Sequence, residues 1–239
     1  MDGMWEELAP GVVRTRLPRW DATAGAVAGP DGVLVIDTGS SLAEGAALRA
    51  SLRELFGRPV TRVALTHGHF DHVLGTAAFA GVQVYGAVGL DRVLRGGRES
   101  LRHDARRHGL AADTAAQAAD ALVLPEHPVS GEMTLALGGD RRAVLVNAGP
   151  GHTGHDLAVL VPGGAPGAPP VVFCGDLVEE SGPPQAGDDA QPGQWPAAVD
   201  RLLALGGEDA RYVPGHGAVV DAAFLRAQRD GLARRFASA

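Results

Sequence analysis

Lysine is missing from this 239-residue chain, and all 21 basic residues are arginine. No lysine can therefore serve as a base or a Schiff-base former. The accompanying richness in Ala, Gly and Arg reads as a coding preference for G and C. Cysteine occurs once, at Cys174, which excludes an intrachain disulfide. No apolar run approaches the ~18 residues of a membrane-spanning helix. The opening residues, Met1 to Glu7, are acidic and lack the apolar stretch of a signal peptide. A cytoplasmic protein without a membrane partner is expected. A formal charge of −7 leaves no basic face for nucleic acid, so the expected partner is a small-molecule substrate. Nothing in the sequence specifies an oligomeric state.

What is present is ordinary for a globular enzyme: 45% hydrophobic and 21% charged residues, with 34 Gly and 16 Pro for strand–turn junctions. Residues 12–17 alternate as a half-buried strand. Strands over 22–28 and 33–36 flank the turn Gly29-Pro30-Asp31-Gly32. Ser41 and Glu44 form a capping-box signature ahead of a helix over 42–56. A strand over 60–65, a short helix from Asp71, a strand near 82–85 and a helix near 88–94 follow. Residues 97–122 read as helical and as a lid-like segment at about 95–125. Arg98, Arg102 and Arg106 share one face there, either solvated or steering an anionic substrate. Strands are then expected at 133–137, 143–147, 157–161, 171–173 and 212–213. Residues 163–170 and 181–193 read as loops, and the latter would also cover the pocket. A helix stripe runs through Trp195, Ala198, Val199, Leu202 and Leu203, and a last helix starts at Asp221. The layout is that of one α/β (α+β) domain over residues 1–239, with helices outside and sheets within.

The chemistry concentrates in Thr66-His67-Gly68-His69-Phe70-Asp71-His72, directly after an apolar strand end. Imidazole and carboxylate groups this close together bury poorly unless paired or bound to metal. A borderline divalent cation such as zinc suits both ligand types, and the spacing suggests two neighbouring metal positions. Similar groups recur where other strands give way to glycine-bearing loops. These are Asp37, His152 and His155 in Gly151-His-Thr-Gly-His155, Asp176 in Cys174-Gly-Asp176, and His216 in Pro214-Gly-His-Gly217. Cys174 reads as a packed core thiol rather than a ligand. His103, His108 and His127 carry no motif and read as surface or helix-end residues.

Taken together, Asp37, the His67/His69/Asp71/His72 loop, His152, Asp176 and His216 resemble, in order, the motifs of the metallo-β-lactamase-fold superfamily of metallohydrolases. The resemblance implies a four-layer αβ/βα sandwich with a dinuclear metal centre. It implies that His67, His69 and His152 hold one metal, that Asp71, His72 and His216 hold the other, and that Asp176 bridges them. Asp37 would orient ligands rather than bind, and His155 would either orient a ligand, touch substrate or serve loop structure. Two Zn2+ ions per chain are expected, with Fe or Mn acceptable to the same ligands. The implied activity is hydrolysis of an ester, thioester or lactone by a metal-bridging hydroxide, with Asp71 also handling its proton.

Departures from known subgroups narrow this. Antibiotic-hydrolysing lactamases usually carry Cys or Ser in place of Asp176. Few residues follow His216, too few for the helical domain of glyoxalase II-like enzymes. Flavin and nucleic-acid-binding additions are not expected either. A mononuclear-iron persulfide dioxygenase is the competing reading, and a true β-lactamase a weaker one.

Overall fold

The computed structural model describes residues 5–164 and 167–237. Residues 1–4, on which part of the amino-terminal reading falls, and residues 165–166 of the expected 163–170 turn lie outside the described residues. The first sheet runs in sequence order through β1 (Glu6–Ala9), β2 (Val12–Arg16), β3 (Thr23–Gly29), β4 (Gly32–Ile36), β5 (Val60–Ala64), β6 (Gln83–Ala87) and β7 (His127–Val129). The second is ordered β12 (Arg211–His216), β11 (Val171–Glu179), β10 (Leu157–Val161), β9 (Arg142–Asn147), β8 (Glu132–Ala136). The helices are α1 (Leu42–Phe56), α2 (Phe70–Val73), α3 (Leu90–Gly96), α4 (Arg98–Arg107), α5 (Ala112–Ala121), α6 (Trp195–Gly206) and α7 (Ala222–Phe236).

Alternation along the strands sorts the core into three apolar layers. Val33 and Val35 of β4 face Leu48, Leu52 and Phe79 on the helical side of the first sheet. Leu34 and Ile36 of the same strand face Leu145, Val159 and Phe173 between the sheets. Beyond the second sheet, Val172 and Cys174 pack against Trp195, Val199 and Leu202 of α6 and Leu225 of α7. The result is the expected four-layer αβ/βα sandwich. Among the described residues no helix is long and apolar enough to cross a membrane.

The expected element bounds hold within a few residues, and α1 matches at both ends. Its cap is a variant of the expected box. Ser41 Oγ accepts the Glu44 N–H at 3.2 Å, but the Glu44 carboxylate turns to the N–H and hydroxyl of Ser40. Strand β2 is buried on both faces, not half-buried, because the short β1 covers its edge and Arg14 is folded in. The Arg14 guanidinium meets Glu6 at 2.7 Å and donates to the Gly217 carbonyl at 2.8 Å. β1 and β7 escaped the sequence reading because they have four and three residues, too few to show alternation. The 97–122 segment is two helices, broken where Gly109 adopts φ +94°. β11 continues past Phe173 to Glu179 and β12 past Val213 to His216, so Asp176 and His216 belong to strands rather than following them. Bulges either side of Gly175 make this possible, since they turn a strand without ending it.

Strand directions place the chemistry at one edge. β4 runs parallel to β5, and β11 parallel to β12, while β9 and β11 both run antiparallel to β10. The carboxyl ends of β4 and β5 therefore share one edge of the first sheet, and those of β9, β11 and β12 share one edge of the second. The two sheets are joined there by the Leu157 N–H donating to the Thr66 carbonyl at 2.7 Å and by a bridge between Ala22 and His216.

The α4–α5 pair is anchored through Leu101, Ala105, Ala115, Ala118 and Ala119 to the core that α1 shares. Its arginines do not form one solvated or steering face. Arg98 donates to the carbonyls of Ala119, Asp120 and Leu122 at 2.7–3.2 Å, satisfying the open end of α5, and Arg102 pairs with Glu99 and Asp120. Only Arg106 is exposed as the solvated reading requires.

Two outcomes are expected. Arg98→Ala should lower stability by about 1–2 kcal/mol, as for a lost charge-assisted capping bond, while leaving kcat/KM unchanged. Gly45→Ala should destabilise by about 1–3 kcal/mol despite alanine's better helix propensity, because a Cβ there would sit 2.4 Å from the Gly75 carbonyl oxygen. Urea midpoints check both, and a more stable Gly45→Ala chain would show that α1 does not need this close approach.

Candidate metal centre

The edge of the first sheet delivers four of the expected residues on one short path. After β5, Thr66 and His67 leave the strand, Gly68 lies against Leu90 and Leu94 of α3, and His69 opens α2 as its N-cap. The first turn of α2 then carries Asp71 and His72, which join a separate group of donors from His67. The second sheet delivers the others. His152 comes from the loop after β9, Asp176 from the bulged middle of β11, and His216 from the end of β12. Gly175 turns with φ +55°, and a Cβ on it would strike Thr66 at 2.7 Å. Gly215 is equally constrained, since a Cβ there would overlap Asp176 Oδ1.

These side chains converge in two groups that can each surround a cation: His67, His69, His152 and Asp176, and Asp71, His72 and His216. Asp176 stands between them. Its Oδ2 lies 3.4 Å from His152 Nε2, 3.7 Å from His67 Nε2 and 3.3 Å from His216 Nε2, and its Oδ1 lies 3.2 Å from His72 Nε2. His69 Nδ1 faces His152 Nε2 at 2.9 Å, and Asp71 Oδ2 lies 3.4 Å from His216 Nε2.

The ring nitrogens pointing away from this centre are all engaged. His67 Nδ1 is 3.0 Å from Thr66 Oγ1, and His72 Nδ1 is 2.9 Å from Asp37 Oδ2. His152 Nδ1 meets the Gln185 carbonyl at 3.1 Å, and His216 Nδ1 meets the Trp20 carbonyl at 2.7 Å. His69 is reversed, with Nε2 held by Asp189 at 3.2 Å and Nδ1 turned inward. An acceptor on the outer nitrogen keeps a proton there and turns the inner nitrogen toward a cation. Despite burial, Asp176 and Asp71 raise His72 well above its usual pKa and His216 to about 9, so on those two rings a cation would displace a second proton. Asp37 adopts φ +58° and also accepts from the N–H and hydroxyl of Thr66 at 2.8 and 2.7 Å. One buried carboxylate thus fixes both the loop and one ring.

A divalent cation fits this donor set on the structure's own terms. His67 Nε2 and Asp176 Oδ1 are buried without a hydrogen-bond partner, the cost expected where the intended partner is an ion. Burial holds the His67 imidazole well below its usual pKa and pushes His152 down to about 4, so both stay neutral ligands. Burial also disfavours the Asp176 anion, but His72, His216 and their neighbours outweigh it and keep that carboxyl well below the usual range. His67 and His72 are sealed from solvent, whereas the His69 side chain is 31% exposed, so the centre is open on one side. A closed structural cage would not be.

His155 stands apart from the convergence. Its Nδ1 bonds the Val88 carbonyl at 3.0 Å, tying the His152 loop to the end of β6. Cys174 is buried in the outer core, and burial raises its thiol pKa, as for an inert packed cysteine. His108 caps α4 and stacks on Phe70, His127 stacks on Tyr85 within β7, and His103 is exposed. The sequence reading missed Thr66, Gln185, Asp189 and the Trp20 carbonyl. Thr66 is legible in hindsight as the residue between strand and ligands. The other three come from distant loops or backbone atoms, and no spacing marks them.

Asp37→Asn tests the orienting role, because asparagine tolerates the positive φ but presents an amide NH2, a donor, to one former donor. Metal affinity should fall about ten- to a hundredfold, measured by chelator competition. Unchanged affinity would remove Asp37 from the support of His72.

Comparison with known proteins agrees with this fold. The family model described as the metallo-beta-lactamase superfamily matches residues 17–216. The chain is 33% identical over 133 residues to metallo-beta-lactamase domain-containing protein 1 of Xenopus laevis, covering 56% of this chain and 42% of that protein. It therefore spans less than half the length of that relative. Among solved structures, a metallo-beta-lactamase from Pontibacter korlensis superposes with TM-score 0.72 at 20% identity, covering 95% of this chain and 98% of that one. The metallo-beta-lactamase FIM-1 from Pseudomonas aeruginosa, in its mono-zinc form, gives 0.71 at 21% identity, covering 98% and 96%. At that identity the structures speak for the fold, and the family model, which takes in every converging residue, speaks for descent: the chain belongs to the metallo-beta-lactamase superfamily.

Proposed function

We propose that this protein is a dinuclear, zinc-dependent hydrolase acting on a carbonyl-type bond of a small ester, thioester or lactone. The observation that carries the reading is the engaged outer nitrogen of each of the five converging histidines. With Asp71 and Asp176, that arrangement aims seven donors at two adjacent positions and leaves one side open. His67, His69 and His152 would hold one ion, Asp71, His72 and His216 the other, and Asp176 would touch both. Zinc suits the imidazole and carboxylate donors, and a structural relative is described in a zinc form. When bound, the ions supply Lewis acidity toward a carbonyl and make water a nucleophile near neutral pH.

The chain's own groups do the rest. Asp71 lies beside His216 and keeps an oxygen free to accept the proton of the attacking water and pass it to the leaving oxygen or sulfur. Water adds its oxygen to the acyl carbon, the acyl–oxygen or acyl–sulfur bond breaks, and an acid and an alcohol or thiol leave. Asp37, Thr66 and the Trp20 carbonyl hold the rings still during turnover. The sealed side at His67 and His72 makes substrate approach from the side of His69.

Elemental analysis of protein purified without added metal, run beside an ester, thioester and lactone panel, tests this. Two zinc per chain with turnover is the expected result. Asp71→Asn should lower kcat about 10²–10⁴-fold. One iron per chain with oxygen consumption on a persulfide would replace the hydrolase by a dioxygenase.

A further inference from the structure

The segment 181–193 is rich in Gly, Pro, Asp and Gln and forms no regular helix or strand. It is nevertheless fastened at five points, two of them on histidines of one candidate metal position. The Gln185 N–H donates to Glu179 Oε1 of β11 at 3.1 Å, and the Pro184 carbonyl accepts from Arg235 of α7 at 2.6 Å. The Gln185 carbonyl meets His152 Nδ1, and Asp189 meets His69 Nε2. Beyond them, the Gln191 N–H donates to the Gly151 carbonyl at 2.9 Å, in the loop that carries His152.

The distribution of these contacts is asymmetric. Two of the three histidines in the His67/His69/His152 group take their orienting acceptor from this one segment. The histidines of the other group take theirs elsewhere, His72 from Asp37 and His216 from Trp20. An imidazole bound to a cation through one nitrogen carries its proton on the other and becomes a stronger donor there. Relative to the neutral rings, filling the three-histidine position therefore strengthens the contacts to Gln185 and Asp189. By reciprocity, those contacts strengthen binding at that position. Without them the segment keeps mainly its outer ties to Glu179, Arg235 and Gly151, and segments with few buried contacts open locally at low cost.

We propose that residues 181–193 are a metal-linked strap: its closure and the filling of the three-histidine position form one coupled equilibrium, with Asp189 as the positioning residue. The proposal rests on the dinuclear reading above and adds a specific linkage to it. Asp188 is a built-in control, being the adjacent exposed carboxylate with no hydrogen-bond or ion-pair partner among the described residues.

Hydrogen exchange of the peptide spanning 184–191, followed through a zinc titration with stepwise affinities from chelator competition, tests it. In the wild-type chain zinc should slow exchange at Gln185 and Gln191 at least tenfold. Asp189→Ala should weaken one of the two stepwise zinc constants about tenfold, leave the other, and remove most of the strap's protection. Asp188→Ala should match the wild type in both. Exchange that ignores zinc while two zinc ions are taken up would overturn the strap and leave the hydrolase reading standing. Asp189→Ala indistinguishable from Asp188→Ala would do the same. A chain that takes up no zinc would overturn both.

Discussion

Asp176 is a carboxylate held almost out of reach of water, at 5% exposure, where the two sheets meet at one edge of the sandwich. An anion in that position is tolerable only where compensating groups surround it. Four imidazoles, from His67, His72, His152 and His216, approach its two oxygens within 3.2–3.7 Å. Much of the local architecture follows from bringing them there. Gly175 and Gly215 lack side chains because Thr66 and the carboxylate itself occupy the space, and β11 bulges to swing Asp176 out of the pleat. Each imidazole must then be held by its far nitrogen, which recruits Thr66, Asp37, Gln185 and the Trp20 carbonyl.

The same constraint explains the division of labour between core and rim. The residues that only pack, such as Leu34, Ile36 and Phe173, sit between the sheets and keep the two strand edges level. The donors emerge where the sheets end, and the carboxyl ends of five strands supply or orient nearly all of them. A one-residue slip in either sheet would carry a donor to the opposite face. The Leu157–Thr66 hydrogen bond and the Ala22–His216 bridge fix the sheets to each other at the level of the donors.

Most of the fold was legible because its signals are local. Ser41 and the Leu48/Leu52 spacing marked α1 to the residue, and the strand–glycine–donor pattern marked the edge of each sheet that matters. The His67–His72 loop was legible for the same reason: four donors in one short stretch have no good packing explanation. What stayed hidden depends on contacts far apart in sequence. Arg98 and Arg102 looked like a helix face, yet their partners are on the following helix, and only the chain reversal at Gly109 brings the two together. Asp189 lies 120 positions from His69, in a loop whose composition says only that it is a loop. The extension of β11 to Glu179 was hidden because its bulges depend on β12, which arrives later in the chain.

The donors are split between the sheets: His67, His69, Asp71 and His72 stand on the first, and His152, Asp176 and His216 on the second. Neither sheet by itself presents both groups. A cation held by either complete group would draw donors from both sheets, unlike zinc in a finger domain whose ligands are all close in sequence. It can be captured in full only after the two halves have docked face to face. Full capture of a cation would therefore follow docking, and a bound cation would work as a rivet across the seam that the apolar layer closes.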